Sequence, residues 1–409
     1  MRVLLVGGGA REHALGWALC RSSRVDELIS LPGNPGLAEL GSVVEGVKPT
    51  DVGAVAALAR VHRIDLAVVG PEAPLAAGIA DAMAALGIPV FGPTRAAARL
   101  ESSKSFAKEV MRRAGVATAE SEMFTDPIAA KGHLTEHEGP YVVKADGLAA
   151  GKGVLVTDSR EEAAAWADQC LRGGLDGAGD MVVIEEFLDG PEVSVFAVCT
   201  LQGAEPVEPA RDYKRLLDDD EGPNTGGMGA FSPVTDLEPG FVDEVMGSVI
   251  VPVWEQMRDD GTPFTGFLYA GLVITADGPK VLEFNVRMGD PEAQVVLPRL
   301  TNDLVDVLEG ATPEWSEEAA VDVVLAAKGY PTDPETGAVI TGLDQVPDDV
   351  LIFHAGTERE DGRLVVAGGR VLTVVGTGPG LAEARERAYH AVNSINWPGM
   401  SYRNDIGII

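Results

Sequence analysis

The chain has 409 residues, of which 45% are hydrophobic, and a formal charge of −31 with only nine lysines. At roughly 100–200 residues per domain, this length predicts two to four domains with ample apolar residues for their cores. So acidic a chain repels nucleic acid and anionic membranes, which excludes non-specific binding to either.

In chain order, Arg2–Val6 reads as an apolar strand, followed by Gly7-Gly8-Gly9 and a helix from about Arg11 to Cys20. A second strand, Asp26–Leu31, ends in Pro32-Gly33-Asn34-Pro35-Gly36, and Val52–His62 reads as a helix. Leu66–Val69 is a strand, Gly70–Pro74 a turn, Leu75–Leu86 a helix and Pro89–Pro93 a last short strand. This βα repeat predicts a parallel sheet with helices on both faces. Ligands are then expected at the strand C-terminal ends, in the Gly7–Gly9, Gly33–Gly36 and Gly70–Pro74 loops.

Residues 101–118 read as helical, and from Ala119 to about Phe196 strands alternate with glycine loops and a helix at Glu161–Arg172. Residues 197–310 mix strands with long glycine-rich connections, and a smaller unit from about Val321 ends in a helix over Gly380–Ile395. Cys20, Cys170 and Cys199 are odd in number and widely spaced, which suggests neither a disulfide framework nor a metal cluster. No run approaches the ~20 apolar residues of a membrane helix, and Met1–Val6 is too short for a signal-peptide core. The expectation is a cytoplasmic protein, a monomer or small homo-oligomer.

The segment Lys144–Val154 sets Lys144, Lys152, Gly147, Gly151 and Gly153 between two apolar runs that read as strands. Such a loop brings backbone N–H and ammonium groups to a polyphosphate. It is not a P-loop: Gly147 to Gly151 is one residue too short, and Gly153 stands where a hydroxyl should help hold the metal. A flexible hairpin with incidental lysines is the other reading. Gly7–Glu12 opens a helix but puts Glu12 at the third glycine of the dinucleotide fingerprint. That leaves a single-phosphate site or a tight turn, and it argues against a nicotinamide-binding oxidoreductase.

Val182–Glu192 is apolar, then acidic, then turned; its main chain suits an adenine ring and Glu192 suits ribose hydroxyls, or the stretch is a solvated turn. In Gly278–Arg287, Glu283 and Asn285 lie two apart and share a strand face. They are hard oxygen ligands suited to Mg2+, or the solvent face of an amphipathic strand. Arg287 is third in that row and can grip a carboxylate or phosphate bidentately. Asp212, Lys214 and Arg215 precede the glycine-rich run Gly222–Gly229, which is costly to order and more suited to shaping a polar-ligand site than to filling space. His133-Leu-Thr-Glu-His137 fits the H-x-x-E-H zinc pattern, but its polar surroundings read as a surface helix.

These motifs together resemble the phosphoribosylamine–glycine ligase (glycinamide ribonucleotide synthetase) family of the ATP-grasp superfamily. The matching residues are GGGAREHAL (7–15), PGNPG (32–36), GPEAPL (70–75), FGPT (91–94), ESSKSFAK (101–108), KADGLAAGKGV (144–154) and EEFLDGPE (185–192). GPNTGGMGAFSP (222–233), TGFLYAGL (265–272), EFNVRMGDPE (283–292) and WPGMSYRNDIG (397–407) complete them. The family commonly has His at Tyr213, Cys at Val286 and a bulkier residue at Met288.

The resemblance implies an α/β and α+β multidomain fold. An N-terminal parallel-sheet domain would span 1–103, an ATP-grasp core 104–315 with a mobile glycine-flap subdomain at 118–194, and a small mixed β/α domain 320–409. It implies ATP-dependent ligation of glycine to 5-phosphoribosylamine through glycyl phosphate, with Mg2+ or Mn2+. Another ATP-grasp carboxylate–amine ligase is the alternative. Lys104 and Lys144 would contact ATP phosphates, with Gly147, Gly151, Lys152 and Gly153 closing over them. Glu185, Glu186 and Leu188 would border the adenine, Glu192 the ribose, and Glu283 and Asn285 would hold the metal. Gly8, Gly9, Asn34, Pro35, Gly36 and Glu72 would bind phosphoribosylamine. Asn224, Gly226 and Gly227 would complete the substrate site. Arg287, Asp212 and Lys214 would serve the chemistry, with Asp212 gripping an amino group.

Overall fold

The computed structural model describes residues 1–148, 153–173 and 180–408. The N-terminal βα repeat forms a five-stranded parallel sheet in the order Ser42–Val43, Glu27–Pro32, Arg2–Gly7, Leu66–Val69, Val90–Phe91. Val3, Leu4, Leu5 and Val6 are all fully buried in its central strand, which is why that strand is continuously apolar rather than alternating. One expected element divides. Leu75–Leu86 is interrupted, with helices at Glu72–Ala77 and Ile79–Ala84 separated by Gly78, whose φ of +95° ends the first.

A second sheet is antiparallel, in the order Ser121–Phe124, Val182–Glu185, Tyr141–Ala145, Val154–Thr157. The helices Pro127–Glu136 and Arg160–Leu171 cover it, burying Ala130, Leu134, Ala163, Ala167 and Cys170 against Tyr141, Val143 and Ile184. His133 and His137 sit at the end of the first helix, with His137 Nδ1 2.9 Å from the His133 carbonyl.

The third sheet is the largest. Its eight antiparallel strands run Gly278–Asn285, Gly266–Thr275, Glu192–Cys199, Ala204–Asp212, Gly229–Ser232, Ala319–Ala326, Arg370–Gly378, Leu351–His354. The last three strands come from the C-terminal quarter, so that region extends the sheet that carries Asp212 and Glu283. It also touches the N-terminal loops. The His354 N–H donates to His13 Nδ1 at 2.9 Å, and Asn34 Nδ2 donates to the His354 carbonyl at 2.7 Å. Burial, helped by His354, pushes the His13 imidazole down to about 3, so it stays a neutral acceptor at any working pH. Among the described residues, no helix is long and apolar enough to cross a membrane.

Candidate active site

Lys144 reaches the cleft from inside a buried strand, Tyr141–Ala145, where a cation must be paired. Its Nζ lies 2.8 Å from Glu185 Oε2 and donates to the Leu282 carbonyl at 3.1 Å. That carbonyl is available because Leu282 is the extra residue of a β-bulge: Gly271 pairs with Glu283 and Leu272 with Val281. Among the described residues the third Lys144 proton has no protein partner. Glu185 is itself 2% exposed at its side chain, and its other oxygen lies 3.2 Å from Lys108 Nζ. Lys108 also donates to Thr118 Oγ1 and the Ala119 carbonyl, both at 2.9 Å, so all three of its protons are used. One carboxylate thus bridges two buried ammonium groups, one structural and one facing the cleft, and leaves a net positive charge there.

Lys104 opens the helix Lys104–Ala114 beside the glycine loop. Asp146 accepts from the Lys104 N–H at 2.5 Å and the Ser105 hydroxyl at 2.6 Å, and Lys104 Nζ donates to the Gly147 carbonyl at 3.3 Å. Gly147 holds φ at +121°, which favours glycine there. Burial lowers the Lys104 pKa; Glu283 opposes this and Lys144 adds to it. Gly153 is buried, and its carbonyl accepts from the Ala145 N–H at 2.8 Å. Gly151 and Lys152 lie outside the described residues.

Past Glu185 the chain turns outward. Glu186 and Glu120 exchange bonds: the Glu120 N–H donates to Glu186 Oε1 at 3.0 Å, and the Glu186 N–H to the Glu120 carbonyl at 2.9 Å. Lys280 Nζ lies 3.0 Å from the same carboxylate. The Glu186 side chain is therefore committed within the protein, leaving its main-chain carbonyl for a ligand. Leu188 is half-buried, and Glu192 forms an ion pair with Lys214, which follows the neighbouring strand of the same sheet.

Glu283 is exposed on the cleft wall. Burial of its surroundings pushes its carboxyl up, but Lys214, Lys144, Lys104 and Arg287 together outweigh this and hold it below the usual range. Asn285, 7% exposed, follows on the same strand, and its Oδ1 accepts from Arg287 Nη2 at 3.2 Å. Among the described residues no three His, Cys, Asp or Glu side chains form a metal-binding group. The protein thus offers a partial shell of hard oxygens, which suits a cation whose remaining ligands are phosphate oxygens and water.

Arg287 is fixed from two sides, with Nη2 2.8 Å from Glu101 Oε1 and Nε 3.3 Å from Glu72 Oε2. Glu101 also accepts from the Val286 N–H at 2.8 Å. Burial pushes the Glu101 carboxyl up to about 7, against the pull of Arg287. Asp212 ends its strand half-buried beside Lys214. Burial raises its carboxyl to about 7, with Lys214 opposing and Glu292 and Glu192 adding to the rise.

The N-terminal loops explain Glu12. Its carboxylate accepts from the Gly9 N–H at 2.7 Å and pairs with Arg11 Nε at 2.6 Å. Gly7 and Gly70 leave room for it, since a Cβ at either would lie 2.4 Å or less from a Glu12 atom. This helix N-terminus is filled by the chain's own carboxylate, contrary to the single-phosphate reading of that turn. Asn34 is similarly committed, donating to Gly8, Gly9 and His354 carbonyls and accepting from the Leu37 N–H. Pro35 is half-buried, and Gly36 lies against the His13 ring, where a Cβ would come within 2.1 Å.

Asn224 is exposed at the end of the hairpin strand Glu221–Asn224, opposite Arg215. The following loop is clamped by residues far away in sequence. The Gly226 N–H donates to Tyr330 Oη at 2.9 Å, and Arg370 Nη1 donates to the carbonyls of Gly226 and Asp290, both at 2.6 Å. Gly227 has φ +108°, and a Cβ there would sit 2.4 Å from Pro291 Cδ. Gly227→Ala is therefore expected to destabilise the protein by about 1–3 kcal/mol, read as a lowered urea midpoint.

Lys108, Asp146, Glu101, Asp290, Tyr330 and Arg370 were not singled out from sequence. Only Lys108 carried a signal, standing four residues after Lys104 on one helix face. The three departures at Tyr213, Val286 and Met288 have structural surroundings. Tyr213 Oη accepts from the Gly407 N–H and donates to the Ile408 carbonyl, both at 3.1 Å, while Val286 and Met288 are 2% and 1% exposed.

Three family models match in succession: phosphoribosylglycinamide synthetase N domain over residues 1–101, ATP-grasp (A) domain over 102–293 and C domain over 320–408. The phosphoribosylamine–glycine ligase of Streptomyces coelicolor is 52% identical, over 99% of this chain and 98% of its own. That of Caulobacter vibrioides is 48% identical, over 100% and 98%. The crystal structure of the Thermotoga maritima phosphoribosylamine–glycine ligase superposes with a TM-score of 0.86 at 36% identity, covering 99% of this chain and 100% of that one. A Campylobacter jejuni biotin carboxylase, at 15% identity and a TM-score of 0.75, shares the fold. The three matched domains and these full-length relatives place the chain in the phosphoribosylglycinamide synthetase family, whose core is an ATP-grasp fold.

Proposed function

We propose that this chain joins glycine to 5-phosphoribosylamine with consumption of ATP, giving glycinamide ribonucleotide, ADP and phosphate in de novo purine biosynthesis. The observation that carries this reading is the gathering of Lys104, Lys144, Lys214 and Arg287 around Glu283 in a chain of net charge −31. So acidic a protein concentrates cations where a polyphosphate must be held.

A carboxylate is a poor acyl donor because its leaving group would be oxide. When an oxygen of the glycine carboxylate attacks the γ-phosphorus, ADP leaves and glycyl phosphate forms. The amine nitrogen of phosphoribosylamine then attacks the acyl carbon and phosphate departs. No protein nucleophile is needed, so the residues act by positioning and charge neutralisation. Lys104 and Lys144 hold ATP phosphates, and Gly147–Gly153 close over them and exclude water. Glu185 fixes Lys144, while Glu186 and Leu188 border the adenine through main chain and apolar contact. Glu192, oriented by Lys214, faces the ribose. Glu283 and Asn285 hold a divalent cation, Mg2+ or Mn2+, which would offset charge on the transferring phosphoryl group. Arg287 orients a carboxylate or that phosphoryl group. The loops at Gly8, Gly9, Asn34, Pro35, Gly36 and Glu72 frame phosphoribosylamine, and Asn224, Gly226 and Gly227 border it opposite. Residues 1–103 and 104–315 thus both contribute to one cleft, and Tyr330 and Arg370 of 320–409 hold its Gly226 loop.

Asp212 is the acceptor for an amino group, a role that needs its ionised form. With its carboxyl near 7, kcat/KM is expected to rise with pH through about 7 and then level off. Asp212→Asn should lower activity and flatten that limb; a variant that keeps the limb assigns it to another group. The reading as a whole is tested by ADP release, expected only when glycine and phosphoribosylamine are both present with ATP. ADP release with other acids and amines but not these two would favour a different ATP-grasp ligase.

A further inference from the structure

We propose that Arg370 and Tyr330, from the C-terminal region, receive the 5-phosphate of phosphoribosylamine; this rests on the ligase reading above. The phosphate of that substrate needs donors, and the expected place for it is filled. The helix N-terminus after Gly9 is capped by the Glu12 carboxylate, which would repel a second anion. Arg370 lies close by through Asp290. Its Nη2 is 3.0 Å from Asp290 Oδ2, and that same oxygen is 3.6 Å from where a Gly9 Cβ would stand.

The Arg370 guanidinium is held through its two terminal nitrogens. Nη1 donates to the Gly226 and Asp290 carbonyls, and Nη2 pairs with the Asp290 carboxylate. Among the described residues its side-on edge, the Nε–H and the second Nη2 proton, has no partner. Two parallel N–H groups fixed in a plane match a phosphate bidentately. Tyr330 adds a third donor. Its oxygen accepts from the Gly226 N–H, which leaves the phenolic proton for an acceptor. Gly226 lies against both groups: a Cβ there would stand 3.2 Å from Arg370 Cζ and 3.4 Å from its Nε, over the face of the guanidinium, and 3.3 Å from Tyr330 Oη. Gly226 is exposed and supplies no side chain, so it covers neither the guanidinium nor the phenol.

The test is steady-state kinetics of the full chain, with each substrate varied in turn and ribose 5-phosphate as a non-reacting competitor. Arg370→Gln is expected to raise KM for phosphoribosylamine and the inhibition constant of ribose 5-phosphate about 10- to 100-fold. KM for glycine and for ATP should change little. Gly226→Ala, whose methyl would press on the guanidinium face and the phenol while leaving the Arg370 charge in place, should raise the same two constants and spare the other two. Tyr330→Phe should do so more weakly and serves if Arg370→Gln does not fold. Unchanged constants for phosphoribosylamine and ribose 5-phosphate, or an equal rise in all three KM values, would overturn the assignment. A parental chain that ligates other substrates would instead sink the ligase reading on which it rests.

Discussion

Replacing Glu283 with alanine is expected to lower kcat about 100-fold, or ~3 kcal/mol, while leaving thermal stability almost unchanged. The two halves of that result have separate causes. Glu283 is exposed on the cleft wall, so its removal leaves no cavity and no orphaned buried group. Its side chain reaches water, which screens its attraction to Lys214, Lys144, Lys104 and Arg287, so these contribute little to folding. In the proposed loaded enzyme the same carboxylate would face the phosphates in a site closed to water, where it is the only ionised ligand proposed for the metal. Turnover with a Mg2+ titration, together with a melting curve, checks both halves. A fully active Glu283→Ala variant would remove Glu283 from the metal site.

Replacing Glu185 with alanine should do the opposite to stability. This carboxylate is 2% exposed and lies between Lys108 and Lys144, themselves 7% and 8% exposed at their side chains. Deleting it leaves two buried ammonium groups facing each other with no counter-charge, a loss of about 3–5 kcal/mol. The damage should centre on the four-stranded antiparallel sheet, because Lys144 and Glu185 sit on paired strands of it while Lys108 lies on the helix Lys104–Ala114. Activity should fall as well, since Lys144 loses its fixed position. The double variant Lys108→Met, Glu185→Leu should recover part of the stability but not the activity. Denaturant melts of the single and double variants measure the coupling. Equal stability of Glu185→Ala and the parental chain would mean that the paired lysines find other partners.

These two carboxylates show how far the sequence can be read. The strand positions of Lys144 and Glu283 were legible, because apolar alternation and glycine punctuation are local signals. So was the parallel N-terminal sheet, whose strands and turns repeat at short spacing. The helix at Leu75–Leu86 was misjudged because Gly78 takes a left-handed conformation that its neighbours do not advertise. Glu12 looked like a defect in a glycine fingerprint. It is instead the carboxylate that Gly7 and Gly70 make room for, a relation that only the folded loops express. Lys108 and Arg370 were missed for one reason: their partners are set by tertiary packing. Arg370 meets Gly226 across 144 residues, and no pattern within the chain marks that contact.

Phosphoryl transfer to the glycine carboxylate is the central step of the proposed reaction, and an isotope follows that oxygen. Glycine labelled with oxygen-18 in its carboxylate should be turned over with ATP and phosphoribosylamine, and the released phosphate analysed by mass. Glycyl phosphate requires one labelled oxygen to pass into each phosphate formed. Unlabelled phosphate at full turnover would contradict the account, because the carboxylate would then have reacted without being phosphorylated.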